Sequence, residues 1–138
     1  YRKGNIMAHV SISQILTAVE GLFASSSWTS NNIKTYPANY QGKIDSNEWV
    51  RINVLPFSSE LTFGETTSNG QIVCNIFVPS GQGMKRAYEI CDLLKVLLDR
   101  NSISGYLQTT NSFITNIGVD EKDAGLYSVD FSVNFRSI

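Results

Sequence analysis

Three observations predict an α+β fold, with one mostly antiparallel β-sheet and two α-helices packed on one of its faces. Two segments repeat their apolar residues at the helical period, and three alternate at the two-residue period of a half-buried strand. The elements run helix, strands, helix, strands, without the regular strand–helix alternation of a parallel sheet. The 138 residues are 42% hydrophobic and 17% charged, which suits one globular domain with its own core. That domain is placed at residues 10–138. Residues 1–9 read as a flexible N-terminus or a leader, with Met7 either a natural start or an internal methionine.

The first helix is SISQILTAVEGLFA. Ile12, Ile15, Leu16, Val19, Leu22 and Phe23 recur on one face, and Ser11 with Gln14 makes a capping-box pattern. Gly21 interrupts it. Ser25–Asn32 is a polar stretch rich in turn formers. Ile33–Tyr36 reads as a short edge strand, because Pro37 cannot donate to a ladder. Trp28, Tyr36 and Tyr40 are read as an aromatic cluster with Lys34 in this region. Two readings of it stay open: a contact surface for another chain, or a loop folded over the first helix.

EWVRINVLP is the next strand. Val50, Ile52 and Val54 point one way, Trp49, Arg51, Asn53 and Leu55 the other, and Pro56 is expected to end it. A polar connection follows, with a tight turn expected at Asn69-Gly70. QIVCNIFVP is apolar on one face through Ile72, Cys74, Ile76 and Val78, and on part of the other through Val73 and Phe77. That pattern belongs to a central strand. The second helix is placed from about Gln82 to Arg100, with Ala87, Ile90, Cys91, Leu94, Leu97 and Leu98 as its buried stripe. NSISG closes it. Two strands end the chain, YLQTTNSFITNIGV and LYSVDFSVNF, joined as a hairpin by the turn EKDAG. Ser128, Asp130, Ser132 and Asn134 give the second sheet face a polar row, expected to be solvated or used in assembly.

Motifs for chemistry are sparse. Gly81-Gln82-Gly83 stands between a strand and a helix, where phosphate loops occur. The Walker spacing and its Lys-Ser/Thr are missing, and Arg86 stands where the dinucleotide fingerprint needs a small residue. The segment reads as a turn whose glycines permit positive φ. His9 is the single histidine, so a two-histidine zinc site within one chain is excluded. No catalytic residue, cofactor-binding residue or metal ligand is assigned, and the chain is not expected to be an enzyme. Glu89 and Asp92, with Arg86 and Lys95, read as a solvated helix face. Asp120, Glu121 and Asp123 lack the calcium-loop pattern. Cys74 and Cys91 have no metal-ligand spacing and are expected as buried free thiols. A formal net charge of −1 and no basic run argue against sequence-specific nucleic-acid binding. No apolar run approaches the ~20 residues that span a bilayer, so no membrane partner is expected.

The order of the motifs resembles the phage tail terminator-like proteins, the tail-completion and head–tail joining family of long-tailed phages. The likeness rests on the N-terminal helix, EWVRINVLP and the polar connection with Gly64. It rests also on the G-x-I-V-x-x-I-F-V-P-x-G-x-G run from Gly70 to Gly83, the A-x-x-I-x-D-L-L helix from Ala87, and the closing GVDEKDAGLYSVDFSVNF. It covers Val10 to Phe135; residues 25–46 match nothing in it. The resemblance implies a structural virion protein with no cofactor. It would cap the tail tube as a homo-oligomeric ring, typically a hexamer, at the head-proximal end. It would stop tube polymerisation and offer a joining surface to the head–tail connector, after assembly in the host cytoplasm. Its partners would be itself, the tube protein and the connector.

A ring needs one patch to meet a different patch on its neighbour. The connection from Phe57 to Asn69 is the expected interface, either between subunits or against the tube. Leu61 and Phe63 lie there with no helix to bury them, flanked by Glu60 and Glu65. Arg51 is a second candidate, expected to pair with a carboxylate across the sheet or the interface. The alternatives are a head–tail connector (neck) protein of similar fold and a small enzyme.

Overall fold

The structure is a computed structural model. It describes residues 11–42, 44, 47–62, 65–105, 107–119 and 125–137, and for 57–62 and 65–68 the backbone alone. The readings of residues 1–9 and of the turn at 121–124 lie outside the described residues.

The fold is mixed α/β, with three helices and a six-stranded sheet among the described residues. The elements are α1 (Ile12–Ala24), α2 (Ser26–Thr29), β1 (Lys34–Pro37), β2 (Trp49–Thr62), β3 (Glu65–Pro79), α3 (Lys85–Leu98), β4 (Ser102–Ile103), β5 (Leu107–Val119) and β6 (Leu126–Ser137). The strand order is β1-β2-β3-β6-β5-β4. β1 runs parallel to β2, and every other pairing is antiparallel. The mostly antiparallel sheet matches the sequence reading.

α1 starts where its capping box predicts. The Ser11 hydroxyl accepts from the Gln14 N–H at 3.2 Å, and the Gln14 side chain accepts from the Ser11 N–H at 2.8 Å. Two orphan donors of the first turn are thereby satisfied. The buried face is Ile15, Ala18, Val19 and Phe23. Ile12 and Leu16 were expected there as well, but they are 59% and 42% exposed. α2 was read as an irregular polar stretch. Its single turn carries Trp28 into the core, edge-on to Phe23 at 5.3 Å between centroids. Three serines made the segment look like surface.

The core joins both long helices to one set of strand residues. Val50 and Ile52 from β2, Ile72, Cys74, Ile76 and Val78 from β3, and Val129, Phe131, Val133 and Phe135 from β6 form one cluster with α1 and α3. All six predicted stripe residues of α3 are buried. The C-terminal carbonyls of α3, orphaned by helix geometry, find partners nearby. Asn101 Nδ2 donates to the Leu97 carbonyl at 2.8 Å, and the buried Thr109 hydroxyl donates to that of Leu98. Asp99 accepts the Ser112 N–H at 2.8 Å, which ties the end of α3 to β5.

Two sequence signals gave way to tertiary context. Pro56 does not end β2. The ladder shifts register between Pro56 and Ser58 and continues to Thr62, because a bulge accommodates a residue without an N–H. Asn69-Gly70 is not a turn either. Both lie inside β3, paired with β2 on one side and β6 on the other. Gly70 faces Pro56 and Phe135, and a Cβ there would stand 2.6 Å from the Leu55 carbonyl oxygen and 2.6 Å from the Phe135 ring. The residue is glycine because an aromatic ring occupies the space of its side chain.

Candidate functional site

The glycine turn is defined by its backbone. Gly81 and Gly83 hold φ of 79° and 80°, the left-handed region that glycine enters without steric cost. Met84, the N-cap of α3, supplies no side-chain cap. Arg86, beside this turn, is engaged elsewhere. Its guanidinium donates to both Glu48 carboxylate oxygens, at 2.9 and 2.7 Å. This bidentate hydrogen bond holds the Glu48 carboxyl below its ordinary pKa. Among the described residues no group of three or more His, Cys, Asp or Glu is arranged to hold a metal. No helix among them is long and apolar enough to cross a membrane.

On the second sheet face Arg51 is a cation–aromatic residue. Its guanidinium carbon lies 5.2 Å from the Trp49 ring centroid and 5.3 Å from that of Phe77. The two rings stack at 4.1 Å and 17°. Tyr36 meets Trp49 edge-on, and Tyr40 stacks on Tyr36 at 4.6 Å. An aromatic row thus crosses β3, β2 and β1. Trp28 is not in it, which corrects the cluster read from the sequence. Of the two partners expected for Arg51, a carboxylate across the sheet is not found among the described residues, where ion pairs join Arg86 to Glu48 and Glu89, and Arg100 to Asp99. A guanidinium is weakly hydrated and spreads well over a ring face, and here two stacked rings receive it.

Polar side chains form a ladder beside this row. Asn53 Nδ2 donates to Asn75 Oδ1 at 2.7 Å, and Asn75 Nδ2 to Asp130 Oδ1 at 2.8 Å. Gln71 Nε2 donates to Asn134 Oδ1 at 3.3 Å. Ser128 and Ser132, of the row expected to be solvated or used in assembly, are buried within the single chain. They stand opposite Phe77 and Phe113 in the ladders.

Of the predicted interface residues, Arg51, Phe57, Glu60, Leu61 and Glu65 fall on strands, not on a loop. Glu60 pairs with Thr67, Leu61 with Thr66, and Glu65 with Thr62. Phe57 lies at the register shift. β6 reaches only to the level of Asn69, and β1 only to Ile52. The paired stretches Ser58–Thr62 and Glu65–Ser68 therefore form a two-stranded arm beyond the sheet. Phe63, and the side chains of Phe57, Glu60, Leu61 and Glu65, lie outside the described residues.

Two surfaces were not read from the sequence. β4 covers only Leu107 and Gln108 of β5. The outer edge of Thr110–Val119 has no strand beside it among the described residues. Phe113, Ile114, Ile117 and Val119 are exposed there, by 41 to 56%. The signal was visible: LQTTNSFITNIGV has apolar residues at both parities and no charge or proline. The other surface is an open groove of about 480 Å³ between α1 and β1–β2. Leu16, Phe23, Tyr36, Pro37, Ile52 and Val54 line it, and Glu20 is its one charged residue.

The fold recurs in solved structures. One, whose name carries no functional description, matches with a TM-score of 0.65 and 17% identity, covering 94% of this chain and 97% of its own. Another is a chain from the virion of a native gene transfer agent (GTA) particle. It matches with a TM-score of 0.61 and 13% identity, covering 87% of this chain and 90% of that one. No family model matches the chain, and no curated protein does. At these identities the likeness is one of fold, shared over nearly the whole length by a small α/β sheet domain.

Proposed function

We propose that the chain is a non-enzymatic structural protein of a phage-type particle, placed at the head-proximal end of the tail. It closes the tail tube as a ring, six subunits being the expected number, and presents the other ring face to the head–tail connector. Both long helices lie against one face of the sheet in this reading, leaving the second face and the sheet edges to the assembly. The carrying observation is the near full-length fold likeness to a chain of a gene transfer agent virion. The order of the sequence motifs supports it. So does the outer edge of β5, which beyond Gln108 has no strand beside it among the described residues.

The test uses the purified chain and the tail tube protein encoded in the same genome. Light scattering over a range of concentrations gives the mass, and negative-stain images give the shape. The expected result is a ring, alone or on tube ends, with tube growth halted by substoichiometric chain. Tubes that elongate unchecked and show bare ends in excess chain count against the reading. Capture of the connector without any tube contact would favour the neck protein instead.

A further inference from the structure

We infer that the uncovered β5 edge of one copy docks into the α1–β1–β2 groove of a second copy, so that neighbours join head to tail. The inference rests on the ring reading in one respect only, that the partner is this same chain.

The edge residues come first. Ile114 pairs with Phe131, and Val119 with Tyr127, so both project on the core side of the sheet. They are nevertheless 50% and 54% exposed. Ile117 stands at the register shift between Asn116 and Gly118, 56% exposed. Monomeric proteins guard such edges with lysine, proline, bulges or a covering segment. The stretch from Ser112 to Asn116 has no lysine or proline and keeps regular register between two flanking shifts, with the Ser112 N–H held by Asp99.

The other edges of the sheet are guarded. β1 carries Lys34 and Pro37, and the part of β2 beyond β1 carries Pro56, a bulge and Glu60. A continuous ladder between β5 and either of them is disfavoured. A bare strand edge is also too small. Ten residues extend about 33 Å and cover roughly 400 Å² per copy, half of the ~800 Å² that a stable interface takes. The edge therefore needs an apolar recess for its side chains.

The groove supplies it. It lies at the opposite edge of the same sheet, so edge and groove cannot meet within one molecule. Each is close to electrically neutral, the groove having Glu20 alone and β5 no charge. Docking has one charge to accommodate, that of Glu20, which is exposed. Ile12 and Leu16, exposed on α1, extend the apolar surface beside it. Because edge and groove are different patches on opposite sides, the contact is heterologous, the type that closes into rings.

A photoreactive benzoylphenylalanine in place of Ile117 tests this on the full chain at about 1 mM, where contacts of millimolar Kd are populated. Irradiation is expected to give a covalent dimer whose cross-link maps to α1 or β1 of the second copy. Leu16→Lys, at an exposed position, is expected to lower the yield about tenfold, equivalent to one unit of log Kd. A cross-link to the second copy's β5 or to the arm, or no dimer at this concentration, overturns the inference. Rings with cross-links elsewhere would leave the ring reading intact and remove this one. Groove cross-links in open chains that never cap a tube would do the reverse.

Discussion

Gly70→Ala asks whether the fold needs glycine at Gly70 for space. The added methyl would sit 2.6 Å from the Leu55 carbonyl oxygen and 2.6 Å from Cζ of Phe135. The first neighbour is backbone, fixed by the β2–β3 ladder. The second belongs to a ring only 3% exposed, so it cannot swing into solvent. Overpacking a well-filled site costs about 1–3 kcal/mol, and two rigid contacts put this substitution near the upper end. For a domain of this length the melting temperature should fall by roughly 8–12 °C. Circular dichroism melts and urea titrations measure it. Phe135→Leu gives the second half of a double-mutant cycle. With the ring gone, one of the two clashes is removed, so the double variant should regain about 1 kcal/mol against the sum of the singles. The carbonyl clash remains, which makes the rescue partial. Gly21→Ala is the control. Its position on α1 is exposed, with nothing within 4 Å of the new methyl. It should stabilise by about 0.5–1 kcal/mol through helix propensity. A Gly70→Ala protein melting within about 2 °C of wild type, or strict additivity with Phe135→Leu, would refute the reasoning.

Other outcomes follow from the same structure. Arg51→Ala should cost about 0.5–1 kcal/mol, with less lost in Arg51→Lys, as read from urea midpoints; equal loss in both would mean that a positive charge over the rings contributes nothing by itself. The Arg86 hydrogen bond lowers the pKa of Glu48 in the native state, so its contribution is present above the ordinary value of 4.5 and fades as pH falls through the lowered one. Wild type minus Glu48→Gln should show a difference of less than about 1 kcal/mol at pH 7, shrinking with salt and vanishing in acid. Burial raises the Cys74 thiol and pushes Cys91 up to about 11, so neither should react with a disulfide reagent at pH 8 until denaturant is added. Glu60→Lys with Glu65→Lys should leave stability within about 0.5 kcal/mol while weakening ring formation or tube binding; unchanged assembly by light scattering would remove the arm from the interface.

What the sequence disclosed tracks how local the cause was. The α1 capping box and the α3 stripe are set by residues three and four apart, and both were legible. So was the central place of β3, because two apolar faces leave a strand nowhere else to go. Pro56 and Asn69-Gly70 misled because their usual meanings are local, whereas here they stand opposite one another on paired strands. A bulge absorbs the proline, and a phenylalanine far along the chain fills the glycine's space. Trp28 was hidden by its serines. The β5 edge escaped notice for another reason: Ile114 and Ile117 look like core in the sequence, and only the two-residue length of β4 leaves them uncovered. Arg51 was singled out correctly as unusual, but its partners are rings on adjacent strands, which charge counting does not find.

The placement of β6 also sets the order of events in folding. The ladder between β3 and β6 joins residues as distant as Asn69 and Arg136, and such long loops close late. The β5–β6 and β2–β3 hairpins connect near neighbours and form earlier. In the interval β5 has an unguarded outer side, while β6, with Phe131, Val133 and Phe135, still lacks β3 on its other side. During synthesis the newborn hairpin thus offers sticky surface in two directions before its own molecule has closed over one of them. Yield from overexpression should therefore depend on synthesis rate and temperature more steeply than the equilibrium stability of the finished sheet would suggest.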